Sequence, residues 1–294
     1  MHLKKVSFAK INLFLHVTGK REDGYHELCS LMAQINIRDE LDFFFNESGI
    51  RVTCDHPLVP EDETNLAHRA AAHFFHACKK KNRPLPLDGV SIHIKKQIPP
   101  GGGLGGGSSN AACVLMTLND YCSILFSRDE LMKIGLELGA DVPFFIFGSP
   151  AIATGVGEKL EKCPNLPDLY LVLCDPGVPA STVAVFKNSV FRLTSGPDYN
   201  MNTGLNALLR GQGVEGREKL HNDLEASAFR LYPEIGSAKE EMEFLLQRNV
   251  YMSGSGSSLF ALFSGPETAG NAYELLAEKW SQGPRKVFLT SLRR

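Results

Sequence analysis

No two of the seven cysteines have the C-x-x-C spacing. Cys29, Cys54, Cys78, Cys113, Cys122, Cys163 and Cys174 are scattered along 294 residues, an odd set that suits neither a disulfide framework nor a zinc cluster and points to reduced, mostly buried thiols. Charge excess is missing too: a formal net charge of −2 builds no field for nucleic acid or an anionic membrane. Lys79-Lys80-Lys81 reads as the solvated end of a helix, where cations suit the dipole. No apolar run approaches the ~20 residues of a membrane span. Met1-His2-Leu3-Lys4-Lys5 leads into an alternating strand without an apolar signal region. The expectation is a cytoplasmic chain with no nucleic acid and no membrane partner. Repeats and low-complexity tracts are also lacking. With 43% hydrophobic and 22% charged residues, the composition is that of a globular protein with one large domain or two moderate ones.

Glycine, by contrast, is concentrated. Pro99-Pro100-Gly101-Gly102-Gly103-Leu104-Gly105-Gly106-Gly107-Ser108-Ser109-Asn110 follows Val90-Ser91-Ile92-His93-Ile94-Lys95, whose apolar residues alternate as in a half-buried strand. Beyond it, Ala112, Leu115, Leu118 and Cys122 recur at helical spacing, so the glycines form a strand-to-helix turn. So dense a cluster costs backbone entropy and suits bare amides that a ligand can approach closely. Ser108, Ser109 and Asn110 are expected to cap the helix, whose N-terminus then offers N–H groups and the positive dipole end to phosphates. A flexible linker would also be glycine-rich, but it is seldom flanked so tightly by two periodic segments. Gly101, Gly103 and Gly106 satisfy the dinucleotide pattern G-x-G-x-x-G, yet the preceding strand is half polar and Asp120 falls inside the helix rather than at the end of a second strand. The P-loop pattern fails because no Gly-Lys-Ser/Thr closes the run.

Earlier in the chain, residues 8–17 alternate: Ala9, Ile11, Leu13, Leu15 and Val17 share one face, and Phe8, Lys10, Asn12, Phe14 and His16 the other. Lys10 and Asn12 thus project side by side, either on a solvated face or, given the two phenylalanines, into a pocket. A turn at residues 19–24 precedes Tyr25-His26, an apolar segment over 28–37, and strands over 41–45 and 50–54. Thr64 or Asn65 caps a helix to about Lys80, with Leu66, Ala70, Phe74 and Ala77 as its inner stripe. Ser127-Arg128-Asp129-Glu130 is a capping box, and Gly139 closes the helix it opens. Asp141 follows, as a turn residue or as a carboxylate for base chemistry or a cation. Strands are expected at 151–154 and 169–174, and a helix over 181–188 carrying Phe186. Residues 193–216 read as a loop or lobe boundary, followed by helix, helix, strand, helix, strand. Ser253-Gly254-Ser255-Gly256 enters one of those strands as a turn.

Lys10-Ile11-Asn12, the 99–110 loop, Gly139-Ala140-Asp141-Val142-Pro143 and Ser253-Gly254-Ser255-Gly256 together resemble the small-molecule kinase family of galactokinase, homoserine kinase, mevalonate kinase and phosphomevalonate kinase. The resemblance spans nearly the whole chain in the family's order. Ala9-Lys10-Ile11-Asn12-Leu13, Asp23-Gly24-Tyr25-His26 and Leu138-Gly139-Ala140-Asp141-Val142-Pro143 are most similar to its branch acting on a cytidyl-sugar alcohol. The resemblance implies an α+β, two-lobed α/β kinase fold with a left-handed β-α-β unit in the N-terminal lobe and a ferredoxin-like C-terminal lobe. It places an ATP-binding lobe at 1–155 and a substrate-binding lobe at 156–294, with the active site between them. The implied activity is ATP-dependent phosphorylation of the 2-hydroxyl of 4-diphosphocytidyl-2-C-methyl-D-erythritol, in the non-mevalonate route to isoprenoid precursors.

On that resemblance Asp141 is the base that takes the hydroxyl proton, and Lys10 stabilises charge on the transferring phosphoryl group. Pro99, Pro100, Gly101, Gly102, Gly103, Leu104, Gly105, Gly106, Gly107, Ser108 and Ser109 hold the ATP phosphates, with Asn65 and Lys96 on the adenine side. Tyr25, His26 and Phe186 hold the cytosine, Asn12 contacts the erythritol end, and Thr182 lies on the same substrate side. Mg²⁺ is expected with ATP, held mainly by phosphates and water, with Ser108 a candidate side-chain ligand and no protein-defined metal site. The partner is a small-molecule substrate, with no obligate protein partner. Three rival readings are a sister kinase acting on homoserine or mevalonate, a nucleotide sensor without turnover, and a dinucleotide oxidoreductase. The Tyr25-His26 motif, the joint presence of Lys10 and Asp141, and the half-polar strand before the glycines count against them in turn.

Overall fold

The computed structural model describes residues 1–45, 48–163, 166–189 and 220–293, so the 193–216 stretch lies outside the described residues. Two compact units interleave along the chain: Met1–Ala9, Ile37–Pro100 and Gly105–Ser149 form the first, and Lys10–Asn36, Gly101–Leu104 and Pro150–Arg294 the second. Two long strands, β1 (His2–Lys20) and β2 (His26–Phe44), pair with each other and run through both units. The segments expected at 28–37 and 41–45 are thus one strand. Burial goes on alternating through Asn36, Arg38 and Glu40, which face outward to differing degrees, while Asp39 puts a charge on the inward parity and is buried.

In the first unit β3 (Gly49–Cys54) and β4 (Gly89–Lys95) are parallel, joined by α1 (Leu66–Lys80), and β4 is antiparallel to the C-terminal part of β2, Leu41 facing Ile94 and Phe43 facing Ile92. Val90, Ile92 and Ile94 of β4 are fully buried, as their alternation requires. The buried stripe of α1 is Ala67, Ala70, Ala71, Phe74 and Cys78. Ala70 and Phe74 lie on it as expected, whereas Leu66 and Ala77 are only half-buried because the stripe is turned by about one residue. α2 (Gly106–Tyr121) packs on α1 and is followed by α3 (Arg128–Leu136) and α4 (Val142–Phe147). The capping box of α3 is present: Ser127 Oγ accepts from Glu130 N–H at 3.3 Å, and Glu130 Oε2 accepts from Ser127 N–H at 2.9 Å. α4 is short, with Pro143 in its first turn, so its Phe-rich run carries too few turns to show a helical period.

In the second unit the N-terminal part of β2 is antiparallel to β5 (Ala151–Gly155), which forms a hairpin with β6 (Lys159–Lys162). β6 is largely exposed and mostly charged, so it carries no apolar alternation. A separate antiparallel sheet has the order β10 (Lys286–Ser291), β7 (Tyr170–Asp175), β9 (Leu259–Phe263), β8 (Tyr251–Met252). Helices α5 (Thr182–Lys187), α6 (Glu225–Leu231), α7 (Pro233–Leu246) and α8 (Pro266–Lys279) complete the described part. Val172, Cys174, Leu259, Ala261, Ile235, Met242, Leu276 and Trp280 build its core together with Leu15 and Val17 of β1. No described helix is long and apolar enough to cross a membrane.

Candidate active site

In the first unit the entrance to the glycine turn is fixed by a buried carboxylate. Asp39 Oδ1 accepts from the N–H groups of Gln97 and Ile98, both at 2.8 Å, while Oδ2 accepts from Lys96 Nζ at 2.5 Å and Asn110 Nδ2 at 2.9 Å. Asp39 is wholly buried and Lys96 nearly so, which makes this an ion pair whose lone pairs and protons are satisfied by neighbouring amides. Lys96, expected on the adenine side, thus holds the end of β4 to the first turns of α2. An added Cβ at Gly106 would stand 2.7 Å from Lys96 Nζ and 3.0 Å from Ile98 Cγ2. That position has room only for glycine unless Lys96 shifts.

The helix after the glycines starts earlier than its serines suggest. Gly105 is the N-cap, in the left-handed region at φ 68, and no side chain caps α2. Ser108, Ser109 and Asn110 therefore lie inside the helix instead of capping it. Ser109 Oγ donates to Phe8 O at 2.7 Å, and Asn110 Nδ2 also reaches Ser7 Oγ at 2.7 Å. The first helical N–H to find a backbone acceptor is that of Ser109, bonded to Gly105 O at 2.8 Å. The amides of Gly106, Gly107 and Ser108 thus have no acceptor within the helix, and such amides, with the positive dipole end, make an anion site.

Asp141 opens α4 at φ −82 and ψ −15, and its side chain makes no capping bond. It is half-buried. An added Cβ at Gly139, two residues before it, would lie 3.8 Å from Ser108 Oγ, so the turn bearing Asp141 abuts the start of α2. Asn65 is the N-cap of α1: its Oδ1 accepts from Ala67 N–H at 2.8 Å and its Nδ2 donates to Pro60 O at 2.6 Å.

In the second unit Lys10 and Asn12 are both buried, at 4% and 5% exposure, so their face of β1 is not solvated. Asn12 Oδ1 accepts from Lys10 Nζ at 2.6 Å and Asn12 Nδ2 donates to Ser30 Oγ at 2.8 Å. Ser30 Oγ in turn donates to Phe14 O at 2.6 Å, which orients the amide so that its oxygen meets the ammonium. Two glycine turns cover this pair. Lys10 N–H donates to Leu104 O at 2.9 Å, Ser258 N–H to Gly102 O at 3.0 Å, and Ser253 Oγ to Gly103 O at 3.1 Å. Added Cβ atoms at Gly254 would stand 3.1 Å from Asn12 Oδ1 and 3.4 Å from Lys10 Nζ. Gly101 faces Pro179, and its carbonyl accepts from Ala180 N–H at 3.2 Å.

The same unit carries the aromatic set. His26 and Phe186 rings stack with centroids 5.5 Å apart and an interplanar angle of 27°. Burial, and then the Lys20 charge, push the His26 pKa below 6.5, which favours the neutral ring. Tyr25 is 65% exposed, held by a turn in which its N–H donates to Asp23 Oδ1 at 3.1 Å and its carbonyl accepts from Arg21 N–H at 2.8 Å. Thr182 Oγ1 and Ser255 Oγ share a hydrogen bond of 2.8 Å, tying α5 to the second glycine turn.

Comparison with known proteins gives this arrangement its family. Residues 65–149 match the GHMP kinases N terminal domain and residues 205–282 the GHMP kinases C terminal domain. A 4-diphosphocytidyl-2-C-methyl-D-erythritol kinase of Syntrophotalea carbinolica is 44% identical over 92% of this chain and 93% of its own length. The like-named protein of Nitrosomonas eutropha is 42% identical over 93% of this chain and 92% of its own. The chain belongs to the GHMP kinases, among the 4-diphosphocytidyl-2-C-methyl-D-erythritol kinases. A crystal structure of 4-(cytidine 5'-diphospho)-2C-methyl-D-erythritol kinase superimposes with a TM-score of 0.79 at 37% identity, covering 99% of this chain and 100% of that one. Homoserine kinase from Cytophaga hutchinsonii shares the fold, with a TM-score of 0.76 at 18% identity, over 99% of this chain and 95% of its own.

In this GHMP kinase the residues that sequence reasoning left without a site role are supporting ones. Asp39, Ser30, Ser253 and Asn222 position the loop, Asn12 and the second glycine turn. Asn222 Nδ2 donates to Met252 O at 2.9 Å and Gly254 O at 2.8 Å. An acid on the inward parity of an alternating strand is the one local signal for Asp39. Asn222 carries none, because its partners are backbone carbonyls about 30 residues away.

Proposed function

We infer that this protein transfers the γ-phosphoryl group of ATP to the tertiary 2-hydroxyl of 4-diphosphocytidyl-2-C-methyl-D-erythritol, a step of the non-mevalonate route to isoprenoid precursors. The observation that carries the donor half is the uncapped start of α2, where three successive amides follow a glycine turn. Residues 99–109 hold the triphosphate there. The acceptor hydroxyl gives its proton to Asp141 as its oxygen bonds the γ-phosphorus and the bond to the ADP oxygen breaks. Lys10, oriented by Asn12, stabilises the charge that gathers on the phosphoryl oxygens. Ser109 and Asn110 are committed to Phe8, Ser7 and Asp39, which leaves the Ser108 hydroxyl as the hard oxygen donor suited to Mg²⁺ beside the amides. Held there with ATP, Mg²⁺ would supply charge neutralisation for the transferring phosphate.

The acceptor reading rests on the names of the relatives and on the His26–Phe186 stack, whose apolar ring and neutral imidazole suit a pyrimidine. Tyr25 supplies a second ring, and Thr182 and Asn12 contact the rest of the substrate. Seven free cysteines accord with work in the cytoplasm. The test is ADP release with ATP, Mg²⁺ and one acceptor at a time: the cytidyl substrate, homoserine or mevalonate. Turnover is expected with the first alone, and turnover with either of the others in its place would overturn the acceptor assignment.

A further inference from the structure

His16, His221 and Asp223 lie in the second unit, outside the set of residues placed at the phosphates or the cytosine. One ligand atom from each lies within 4.8 Å of the other two. Their placement is built by backbone. Residues 221–223 form a parallel bridge on β1 at Leu15, whose N–H donates to His221 O at 2.9 Å and whose carbonyl accepts from Asp223 N–H at 3.0 Å. Two residues apart on that extended segment, His221 and Asp223 share a face, beside His16 of β1. The two imidazoles stack with centroids 5.2 Å apart, and His221 Nε2 and Asp223 Oδ1 are hydrogen-bonded at 2.5 Å. The second carboxylate oxygen of Asp223 accepts from Val17 N–H at 2.7 Å, which fixes its orientation as supporting contacts do for metal ligands.

We propose that His16, His221 and Asp223 form a site for a divalent transition-metal ion of the zinc type, separate from the Mg²⁺ that accompanies ATP. Two imidazoles and a carboxylate suit zinc, cobalt or nickel, with water as a fourth ligand, whereas Mg²⁺ prefers oxygen donors alone. Zinc bonds of about 2.0–2.1 Å set ligand separations of roughly 3.4 Å. Side-chain rotation closes the wider gap to His16, and the ion takes the place of the hydrogen bond between His221 and Asp223. The bound ion would tie β1 to the segment bearing Asn222, and Asn222 holds the carbonyls of Met252 and Gly254. It therefore braces the turn that covers Lys10 and Asn12.

Calorimetric titration of tag-free protein with zinc, without nucleotide, tests the site. One equivalent is expected to bind and to raise Tm. His16→Gln and His221→Gln should each weaken binding by more than the about 100-fold that loss of a mere supporting contact can cost. His76→Gln, at an exposed histidine on α1, should leave affinity unchanged. Cobalt on the wild-type chain should show visible bands of nitrogen and oxygen ligation. That reading is independent of how the variants fold. No binding, affinity unmoved by both substitutions, or the intense near-ultraviolet band of cobalt–thiolate ligation would overturn the proposal.

Discussion

Replacing Gly103 by alanine tests how the first glycine turn is held. Gly103 has φ +72, and an added Cβ would fall on Ser253 O and stand 2.8 Å from Gly256 O. Both neighbours are backbone, so no side chain can swing aside. The left-handed conformation costs a residue with a Cβ about 1–2 kcal/mol. Parting the two turns far enough to admit the methyl group breaks the bonds Ser258 N–H to Gly102 O and Ser253 Oγ to Gly103 O, at about 0.5–1.5 kcal/mol each. The total is roughly 2–5 kcal/mol, read as a lowered urea midpoint at unchanged slope. Gly270→Ala is the control: it lies inside α8 with nothing within 4 Å of the added atom, and is expected to gain up to about 1 kcal/mol. Displacing the amides that follow Gly103 by about an ångström should also lower turnover by about 10²-fold. A Gly103→Ala protein within about 0.5 kcal/mol of wild type would refute the contact between the turns.

Other outcomes follow from other parts of the molecule. Asp39→Ala leaves the Lys96 ammonium buried beside Gly106 without its carboxylate, and urea unfolding should show a loss of about 3–5 kcal/mol. Asp141→Asn should lower kcat by about 10²–10⁴ and Lys10→Met by about 10²–10³, with the unfolding midpoint of Asp141→Asn little changed; near-normal turnover would remove either residue from the mechanism. The hydrogen bond to Asp223 holds the His221 pKa above 6.5, whereas burial and then the His221 charge push that of His16 below it. The two rings should thus titrate on opposite sides of pH 6.5 by NMR. The sign follows: the stability from His221 is complete below pH 6.5 and lost as pH rises through its raised pKa, so His221→Gln should flatten the decline of stability above pH 6.5.

The glycine turn was legible because so dense a cluster between a strand and a helix has few uses, and the start of α3 because its capping box is a local four-residue signal. The extent of β2 was not, because Asp39 interrupts the apolar alternation as a loop residue would, and its partner Lys96 is 57 positions away. The start of α2 was misplaced for a related reason. Ser109 and Asn110 have the chemistry of caps, yet their partners are Phe8 and Ser7 on β1, and a left-handed glycine begins the helix instead. Lys10 and Asn12 were found by type and spacing, but their burial depends on Ser253, 241 residues beyond Asn12. Tyr25, His26 and Phe186 entered through the family resemblance alone, since a Tyr-His pair after a turn has no periodicity to distinguish it. The His16, His221 and Asp223 cluster depends on a strand bridge between segments some 200 residues apart, which no local pattern announces.

The central claim is that the amides opening α2 hold the donor phosphates while Asp141 receives the acceptor proton. A crystal structure with a non-hydrolysable ATP analogue, Mg²⁺ and 4-diphosphocytidyl-2-C-methyl-D-erythritol bound together tests it most directly. The account predicts phosphate oxygens on the N–H groups of Gly106, Gly107 and Ser108, the cytosine against the Phe186 ring, and the 2-hydroxyl within hydrogen-bond reach of Asp141. Phosphates seated away from those amides, or a 2-hydroxyl directed away from Asp141, would contradict it.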